Sequence, residues 1–195
     1  MSVSKTRMML VEVARQLFAQ KGVMDTTMND IAIASQKGRR TLYTYFRNKE
    51  EIYMAVVESE LQIVTTTLQT VMKLEVEPQE KIEAFINTHF DVFKDMVIRN
   101  GSLHARFFRD IMEIEKLRRK LDRKEAVLLA QILMEGQEKG VFDIKDIKET
   151  AQILQFSLKG LEVPYIRENI RSRKTQNQSI FDFLFYGLMG RKNKF

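Results

Sequence analysis

The stretch from Ile31 to Phe46 reads IAIASQKGRRTLYTYF and holds two short helical patterns separated by a tight turn at residues 35–38. The pattern after the turn carries basic, hydroxyl and aromatic side chains, while the spacing of Leu42 and Phe46 places both on one side. A helix with an apolar docking side and an outer side of hydrogen-bond donors fits the major groove of DNA, which is about 12 Å wide. This stretch therefore predicts a helix-turn-helix unit that reads DNA.

The composition of the 195-residue chain favours a helical protein with a substantial core. Hydrophobic residues make up 44%, and the chain has 2 prolines and 8 glycines, which argues for long helices over strands and turns. The absence of cysteine excludes disulfides, thiol catalysis and most structural zinc sites. We find neither an apolar signal-peptide core nor a run of about 18 apolar residues, so we expect a cytoplasmic protein without membrane contact.

Charge is distributed unevenly along the chain. Residues 1–50 carry 9 Lys and Arg against 4 Asp and Glu, whereas residues 51–170 carry 17 against 21. The last segment, residues 171–195, is basic again, with 6 against 1. A basic N-terminal part on a mildly acidic body is typical of nucleic-acid binding by that part, while the basic C-terminal segment reads as a solvated terminus.

Apolar spacing along the chain predicts about nine helices and an all-α fold. The first three would form a helix-turn-helix domain at residues 1–48, and the rest a helical ligand-binding and dimerisation domain at residues 49–195. The sixth helix is expected from Leu103 to Met112 and the last from Ile180 to Met189. Pro164 should bend or end the eighth helix, because proline lacks the backbone donor that a helix interior needs.

Two helix starts carry capping signals. Thr27 followed by Asp30 predicts a capping box at the start of the second helix. Asn48 is the expected cap of the fourth helix, where Glu50 and Glu51 would lie against the positive helix end. These signals fix the helices on either side of the predicted reading helix.

The N-terminal segment resembles the DNA-binding domain of the TetR family of bacterial transcriptional regulators. The family pattern is roughly F-x-x-x-G-x-x-x-T-T-x-x-x-I-A-x-x-A-G-V-S-x-x-T-L-Y-x-Y-F-x-x-K-x-x-L. The chain matches it at Phe18, Gly22, Thr26, Thr27, Ile31, Ala32, Thr41, Leu42, Tyr43, Tyr45, Phe46 and Lys49. The resemblance covers about residues 8–60, while the remainder is similar only in length and helical character.

The turn departs from the family pattern, because the usual A-G-V-S is replaced here by Ser35-Gln36-Lys37-Gly38. Gln36 takes the place of the turn glycine and would need a left-handed backbone, at a cost of about 1 kcal/mol. Gly38 can still serve as a helix N-cap. A helical small-molecule-binding protein whose head no longer reads DNA is therefore an alternative, although Arg39 and Arg40 argue against it.

Ten residues are expected to contact DNA. The resemblance implies base or phosphate contacts for most of them, and the basic and hydroxyl character of the reading helix and its flanks adds Lys37 and Thr44. The full set is Thr27, Asn29, Lys37, Arg39, Arg40, Thr41, Tyr43, Thr44, Tyr45 and Lys49.

The C-terminal part is expected to dimerise, because the last predicted helix is apolar nearly all round and one body of this size cannot cover every face. An isologous contact would combine it with the eighth helix. The expected interface residues are Leu154, Leu158, Leu161, Phe181, Phe185 and Leu188. Two heads could then read two half-sites of a near-palindromic double-stranded operator. The alternative for the last predicted helix is that it is fully buried in the core of one chain.

The resemblance also implies a small-molecule effector whose binding releases the protein from DNA, as in a repressor. Aromatic and Met side chains suit an apolar effector, although each could instead be ordinary core, with His89 a satisfied core histidine. The candidates are Phe85, His89, Phe93, Phe107, Phe108, Met112, Met134 and Phe156. We find no cofactor motif, metal-ligand spacing or catalytic arrangement, so we expect no metal, no cofactor and no enzyme activity.

Overall fold

The structure, a computed structural model, describes residues 5–100 and 112–168, with side chains for residues 5–100 and 114–163. This part of the chain is all-α, which confirms the predicted fold class. Seven helices occupy it: α1 (Lys5–Lys21), α2 (Met28–Ala34), α3 (Arg39–Tyr45), α4 (Lys49–Val71), α5 (Pro78–Asn100), α6 (Met112–Glu138) and α7 (Ile147–Glu168). Nine helices were expected; the predicted ones at residues 103–112 and 180–189 lie outside the described residues, except that Met112 begins α6.

Both predicted caps are present. The Thr27 hydroxyl accepts from the Asp30 amide (3.1 Å), and the Asp30 carboxylate accepts from the Thr27 amide (2.9 Å), which completes the capping box of α2. At α4 the Asn48 side-chain oxygen accepts from the Glu51 amide (2.8 Å), and the Glu51 carboxylate accepts from the Arg47 amide (2.6 Å). These bonds satisfy amide donors that the first turn of a helix leaves open.

The turn between α2 and α3 has the backbone expected from its sequence. Gln36 has a φ of +53°, which confirms the predicted left-handed conformation. The Lys37 amide donates to the Ala32 carbonyl (3.1 Å) and the Gln36 amide to the Ile33 carbonyl (3.0 Å). This pair of bonds is the Schellman motif, which normally places glycine at the left-handed position. Gly140 holds that position after α6, with a φ of +69°.

Contacts within the described residues group into two compact units. The first unit comprises residues 5–63, 95–100 and 112–119, and the second comprises residues 64–94 and 120–168. Thus α4, α5 and α6 contribute residues to both units. The predicted division into residues 1–48 and 49–195 stays a prediction.

The core of the first unit is built from the inner faces of its short helices. Leu10 and Phe18 of α1, Ile31 of α2 and Leu42 of α3 are fully buried. Phe46, the C-cap of α3, is buried as well, with the Arg7 guanidinium 5.1 Å from its ring centroid. The reading helix is thereby anchored on one side only.

The core of the second unit is aromatic and aliphatic. Phe85, Phe90 and Phe93 of α5 are fully buried there. Gly136 of α6 lies directly against the Phe142 ring, so that a Cβ atom at this position would collide with the ring.

Pro164 was expected to bend or end the eighth predicted helix. This helix, α7, does not end at Pro164 but continues to Glu168. Among residues 5–100 and 112–168, no helix combines the length and the apolar character needed to cross a membrane.

Candidate functional site

The outward side of α3 is the centre of the candidate DNA-binding surface. Leu42 is fully buried and fixes the inner side of the helix, while Arg39, Arg40, Tyr43 and Thr44 are exposed. Thr41 and Tyr45 are half-buried. The side chains of α3 that were predicted to contact DNA are thus exposed or half-buried, while the predicted core residue Leu42 is buried. A helix that reads a DNA groove requires this arrangement.

Arg39 and Asn29 are linked by a hydrogen bond between α3 and α2. The Arg39 Nε atom donates to the Asn29 Oδ1 atom at 2.8 Å. This bond uses only the Nε atom, so the two terminal guanidinium nitrogens remain for a bidentate contact of the kind that arginine makes with guanine. Asn29 was expected to reach DNA itself, which stays a prediction; in the structure its side-chain oxygen accepts the hydrogen bond from Arg39.

Three predicted DNA contacts have internal hydrogen-bond partners. The Thr44 hydroxyl donates to the Arg40 carbonyl (2.9 Å), and the Lys49 ammonium group to the Met24 carbonyl (3.1 Å). The Thr27 hydroxyl donates to the Asp30 carboxylate (2.9 Å). Hydrogen bonds from the Thr27 amide and hydroxyl lower the pKa of Asp30. The resulting negative charge beside Thr27 disfavours a phosphate at that position.

Further cations flank α3. Lys37 lies in the turn before it and is exposed, as is Arg47, which follows the buried Phe46. Arg47 was not among the predicted contacts. The sequence did offer a signal for Arg47 as a DNA contact, because this cation directly follows Phe46, the last apolar position of the predicted reading helix.

The predicted ligand-contacting residues do not form one group in the structure. Phe85, His89 and Phe93 are fully buried on α5, and the His89 ring lies 4.8 Å from the Phe93 ring, centroid to centroid. Met134 and Phe156 are exposed, by 48% and 66%. Phe107 and Phe108, together with the Met112 side chain, lie outside the described residues. Ligand contact by any of them stays a prediction.

His89 lies between two buried glutamates that sequence reasoning missed. Its Nδ1 atom is 3.3 Å from the Glu125 carboxylate of α6, and its Nε2 atom is 3.3 Å from the Glu162 carboxylate of α7. Neither contact has hydrogen-bond geometry at the ring nitrogens. The attraction between the ring and the two carboxylates is therefore chiefly electrostatic. Burial lowers the pKa of His89, but the two carboxylates outweigh burial and raise it to about 9.

Neighbouring polar groups complete this buried cluster. The Gln155 amide donates to the second oxygen of Glu125 at 3.3 Å. On the same two helices, Lys159 and Asp122 form an ion pair at 2.6 Å. His89 thus lies between carboxylates from two other helices, whose negative charges favour its protonated form. No group of three His, Cys, Asp or Glu in the described parts of the chain is arranged to hold a metal ion.

The structure revises which residues of α7 could meet a second subunit. Leu154 and Leu158, two of the expected interface residues, are 4% and 0% exposed within one chain. They have almost no surface left for a partner, while Leu161 is half-buried. Ile153 and Phe156 are the exposed apolar side chains of the same helix, by 57% and 66%. Phe181, Phe185 and Leu188 lie outside the described residues.

Comparison with known proteins places the N-terminal segment in a family. Residues 10–56 match the model of the family described as bacterial regulatory proteins, tetR family. The probable acrEF/envCD operon repressor of Escherichia coli (strain K12) is 47% identical over 49 residues, which are 25% of this chain and 22% of that protein. The chain thus matches about a fifth of the length of that relative.

Two further similarities extend over most of the chain. The uncharacterized HTH-type transcriptional regulator YhgD of Bacillus subtilis (strain 168) is 26% identical over 161 residues, covering 79% of this chain and 80% of that protein. A transcriptional regulator from Cytophaga hutchinsonii ATCC 33406 has a similar structure, with a TM-score of 0.76 at 18% identity, covering 93% of this chain and 97% of the other. The matched segment and its helix-turn-helix geometry agree, and residues 10–56 are an N-terminal domain of the tetR family of bacterial regulatory proteins.

Proposed function

We propose that this chain is a sequence-specific DNA-binding transcriptional regulator that acts as a homodimeric repressor and leaves its operator when a small-molecule effector binds. The observation that carries the proposal is the two-sided α3, whose inner residue Leu42 is buried while Arg39, Arg40 and Tyr43 are exposed. Residues 1–48 would form the DNA-reading head, and residues 49–195 the regulatory body.

In the DNA complex α3 would lie in the major groove. Arg39, oriented by Asn29, and Arg40 would read bases, because the arginine fork matches the two acceptors on the groove edge of guanine. The remaining polar residues would hold the sugar-phosphate backbone and fix the register of the helix. They are Lys37, Thr41, Tyr43, Thr44, Tyr45, Arg47 and Lys49, with Thr27 the least favoured because of Asp30.

Dimerisation would place two heads on two half-sites of a near-palindrome. On α7 the contact would use Ile153 and Phe156, which leave more than half of their side-chain surface exposed in one chain. Exposed apolar residues at positions i and i+3 of a helix share one face, and such a face is covered when two helices pair.

The effector would be a small apolar molecule bound among the helices of the body. Phe85, His89 and Phe93 supply an aromatic wall on α5, in keeping with the apolar lining of ligand sites. An effector that binds one dimer geometry more tightly than the other would shift the population away from the form that fits both half-sites.

Selection of bound sequences from random duplex DNA, at near-physiological salt, tests the proposal. Enrichment of a near-palindrome by the purified protein is the expected result. The variant Arg40→Ala, which leaves the buried side of α3 intact, should lose the base preference at one position of each half-site. A folded protein that enriches no sequence, with and without a panel of apolar candidate effectors, would instead support the alternative of a head that no longer reads DNA.

A further inference from the structure

A buried carboxylate lies within the first unit. Glu60 of α4 has only 2% of its side chain exposed. An unpaired charge at such a position is strongly unfavourable, and a buried carboxylate therefore depends on every partner that it has. The identity of these partners shows what Glu60 holds together.

Two partners come from the last turn of α5. One terminal nitrogen of Arg99 donates to the Glu60 Oε2 atom at 2.6 Å, and the Asn100 amide donates to the same oxygen at 2.8 Å. The Asn100 amide also donates to the Met96 carbonyl, one turn earlier (2.8 Å). The side chain of Asn100 is thereby fixed relative to its own helix, so Glu60 is tied to a defined end of α5.

The third partner comes from α1. The Arg15 Nε atom lies 3.9 Å from the Glu60 Oε1 atom, and the same guanidinium group makes two hydrogen bonds to Glu12, at 2.9 Å and 2.6 Å. Its remaining nitrogen donates to the Arg99 carbonyl at 3.1 Å. This carbonyl is among the last four of α5, which the helix itself leaves without a donor. The hydrogen bonds that Arg15 donates to the Glu12 carboxylate raise the pKa of Arg15, which therefore stays charged.

Arg15 and Glu60 thus join three helices at one point: α1 of the head, α4, and the C-terminal end of α5. Elsewhere along α1, Leu10 and Phe18 are buried in the core of the first unit, as is Leu42 of α3, and Arg7 stacks on Phe46 at the end of α3. A displacement of α1 therefore reaches the reading helix through a packed core, which does not deform smoothly.

From this geometry we infer that Glu60 is a positioning residue for DNA reading, which couples the position of the end of α5 to the orientation of the head. The inference rests on the proposed function. If the end of α5 withdraws, Glu60 loses both of its short hydrogen bonds and keeps only the long contact to Arg15. Arg15 loses its contact to the Arg99 carbonyl at the same time. The end of α5 is thus the point at which a conformational signal would release the head.

The test measures the geometry of the head and DNA binding in the same variants. The chain has no cysteine, so two introduced cysteines, Ile33→Cys in α2 and Ile98→Cys in α5, take spin labels at two highly exposed positions. Pulsed electron paramagnetic resonance then gives the distance distribution between them, with labelled chains diluted in unlabelled chains. The variants are Glu60→Gln and Arg99→Gln. The matched control is Glu58→Gln, an exposed glutamate of the same helix that changes the net charge in the same way as Glu60→Gln.

We expect Glu60→Gln and Arg99→Gln to broaden or shift the distance distribution, and Glu58→Gln to leave it unchanged. Both variants should weaken binding to the selected operator by about 5- to 150-fold, the usual range of coupling between sites, while binding to random DNA stays close to that of the control. Arg99 is more exposed than Glu60, so its variant decides the matter if Glu60→Gln does not fold.

Two results would overturn the inference. The first is a wild-type distance distribution in both variants. The second is a changed distribution with unchanged operator affinity, since Glu60 would then hold the helices without affecting DNA reading. Failure of the wild-type protein to select any sequence would refute the proposed function instead. The distance comparison, made without DNA, separates the two cases.

Discussion

The left-handed residue Gln36 makes a stability prediction that can be worked out from the turn itself. Gln36→Gly should stabilise the protein, because the backbone at this position has a φ of +53°, in the region that glycine adopts without penalty. The side chain of Gln36 is exposed, so its loss removes little packing. Both hydrogen bonds of the turn are made by backbone atoms and remain possible in the variant.

The magnitude is the difference between two opposing effects. Removing the Cβ atom relieves about 1–2 kcal/mol of left-handed strain. Glycine also gives the unfolded chain more freedom, which costs about 0.4–1 kcal/mol of stability. The net expectation is a gain of roughly 0.5–1 kcal/mol in the free energy of unfolding, or about 1–4 °C in Tm for a chain of this size.

The assay is chemical denaturation of Gln36→Gly beside a matched control, Lys37→Gly. Lys37 is the next residue of the same turn and is also exposed, but its φ is not positive. Its glycine variant therefore carries the unfolded-state cost without relief of strain, and should be less stable than wild type by about 0.5–1 kcal/mol. The reasoning would be refuted if the two glycine variants had the same stability, because strain at Gln36 would then contribute nothing.

Three further predictions concern the reading helix, the buried histidine and the exposed face of α7. Arg40→Ala should weaken operator binding by about 1–3 kcal/mol if Arg40 reads a base; equal losses on every sequence, measured by fluorescence anisotropy, would assign it to phosphate. Because the folded-state pKa of His89, about 9, lies above its ordinary value of 6.5, its stabilising charge is fully present below pH 6.5 and is lost as the pH rises through 9. Unfolding free energies from pH 6 to 10 should fall accordingly in wild type, and an equal fall in His89→Gln would exclude this origin. Phe156→Asp should shift sedimentation toward the monomer at micromolar concentration, whereas Gln152→Asp, an exposed position on the same helix, should not.

Local features of this protein follow from its sequence with little ambiguity. The capping box of Thr27 and Asp30, the Asn48 cap and the left-handed Gln36 each depend on atoms a few residues apart. Such interactions form in the same way whatever the rest of the chain does. Apolar periodicity likewise identifies the inner side of each helix, which is why the buried position of Leu42 and the exposed position of Arg40 could be predicted.

Which helix covers each apolar face could not be predicted in the same way. Leu154 and Leu158 were expected to meet a second subunit because they form an apolar stripe, yet this stripe is buried within one chain. Phe156 was expected to line a ligand site because it is aromatic, yet it is exposed. Periodicity shows that a face is apolar, but not whether the chain's own helices, a ligand or a second chain covers it.

The all-helical fold of the described residues, the helix at Arg39–Tyr45 and the resemblance of the N-terminal segment to the TetR family could be predicted from the residue pattern alone. The polar contacts that join distant helices became evident only from the folded chain: Glu60 with Arg99, His89 with Glu125 and Glu162, and Arg39 with Asn29. The physical reason is range: helix formation and capping are decided within a few residues of the chain. A buried charge finds its partner only when helices far apart in sequence pack together, and no local pattern records which residue that partner will be.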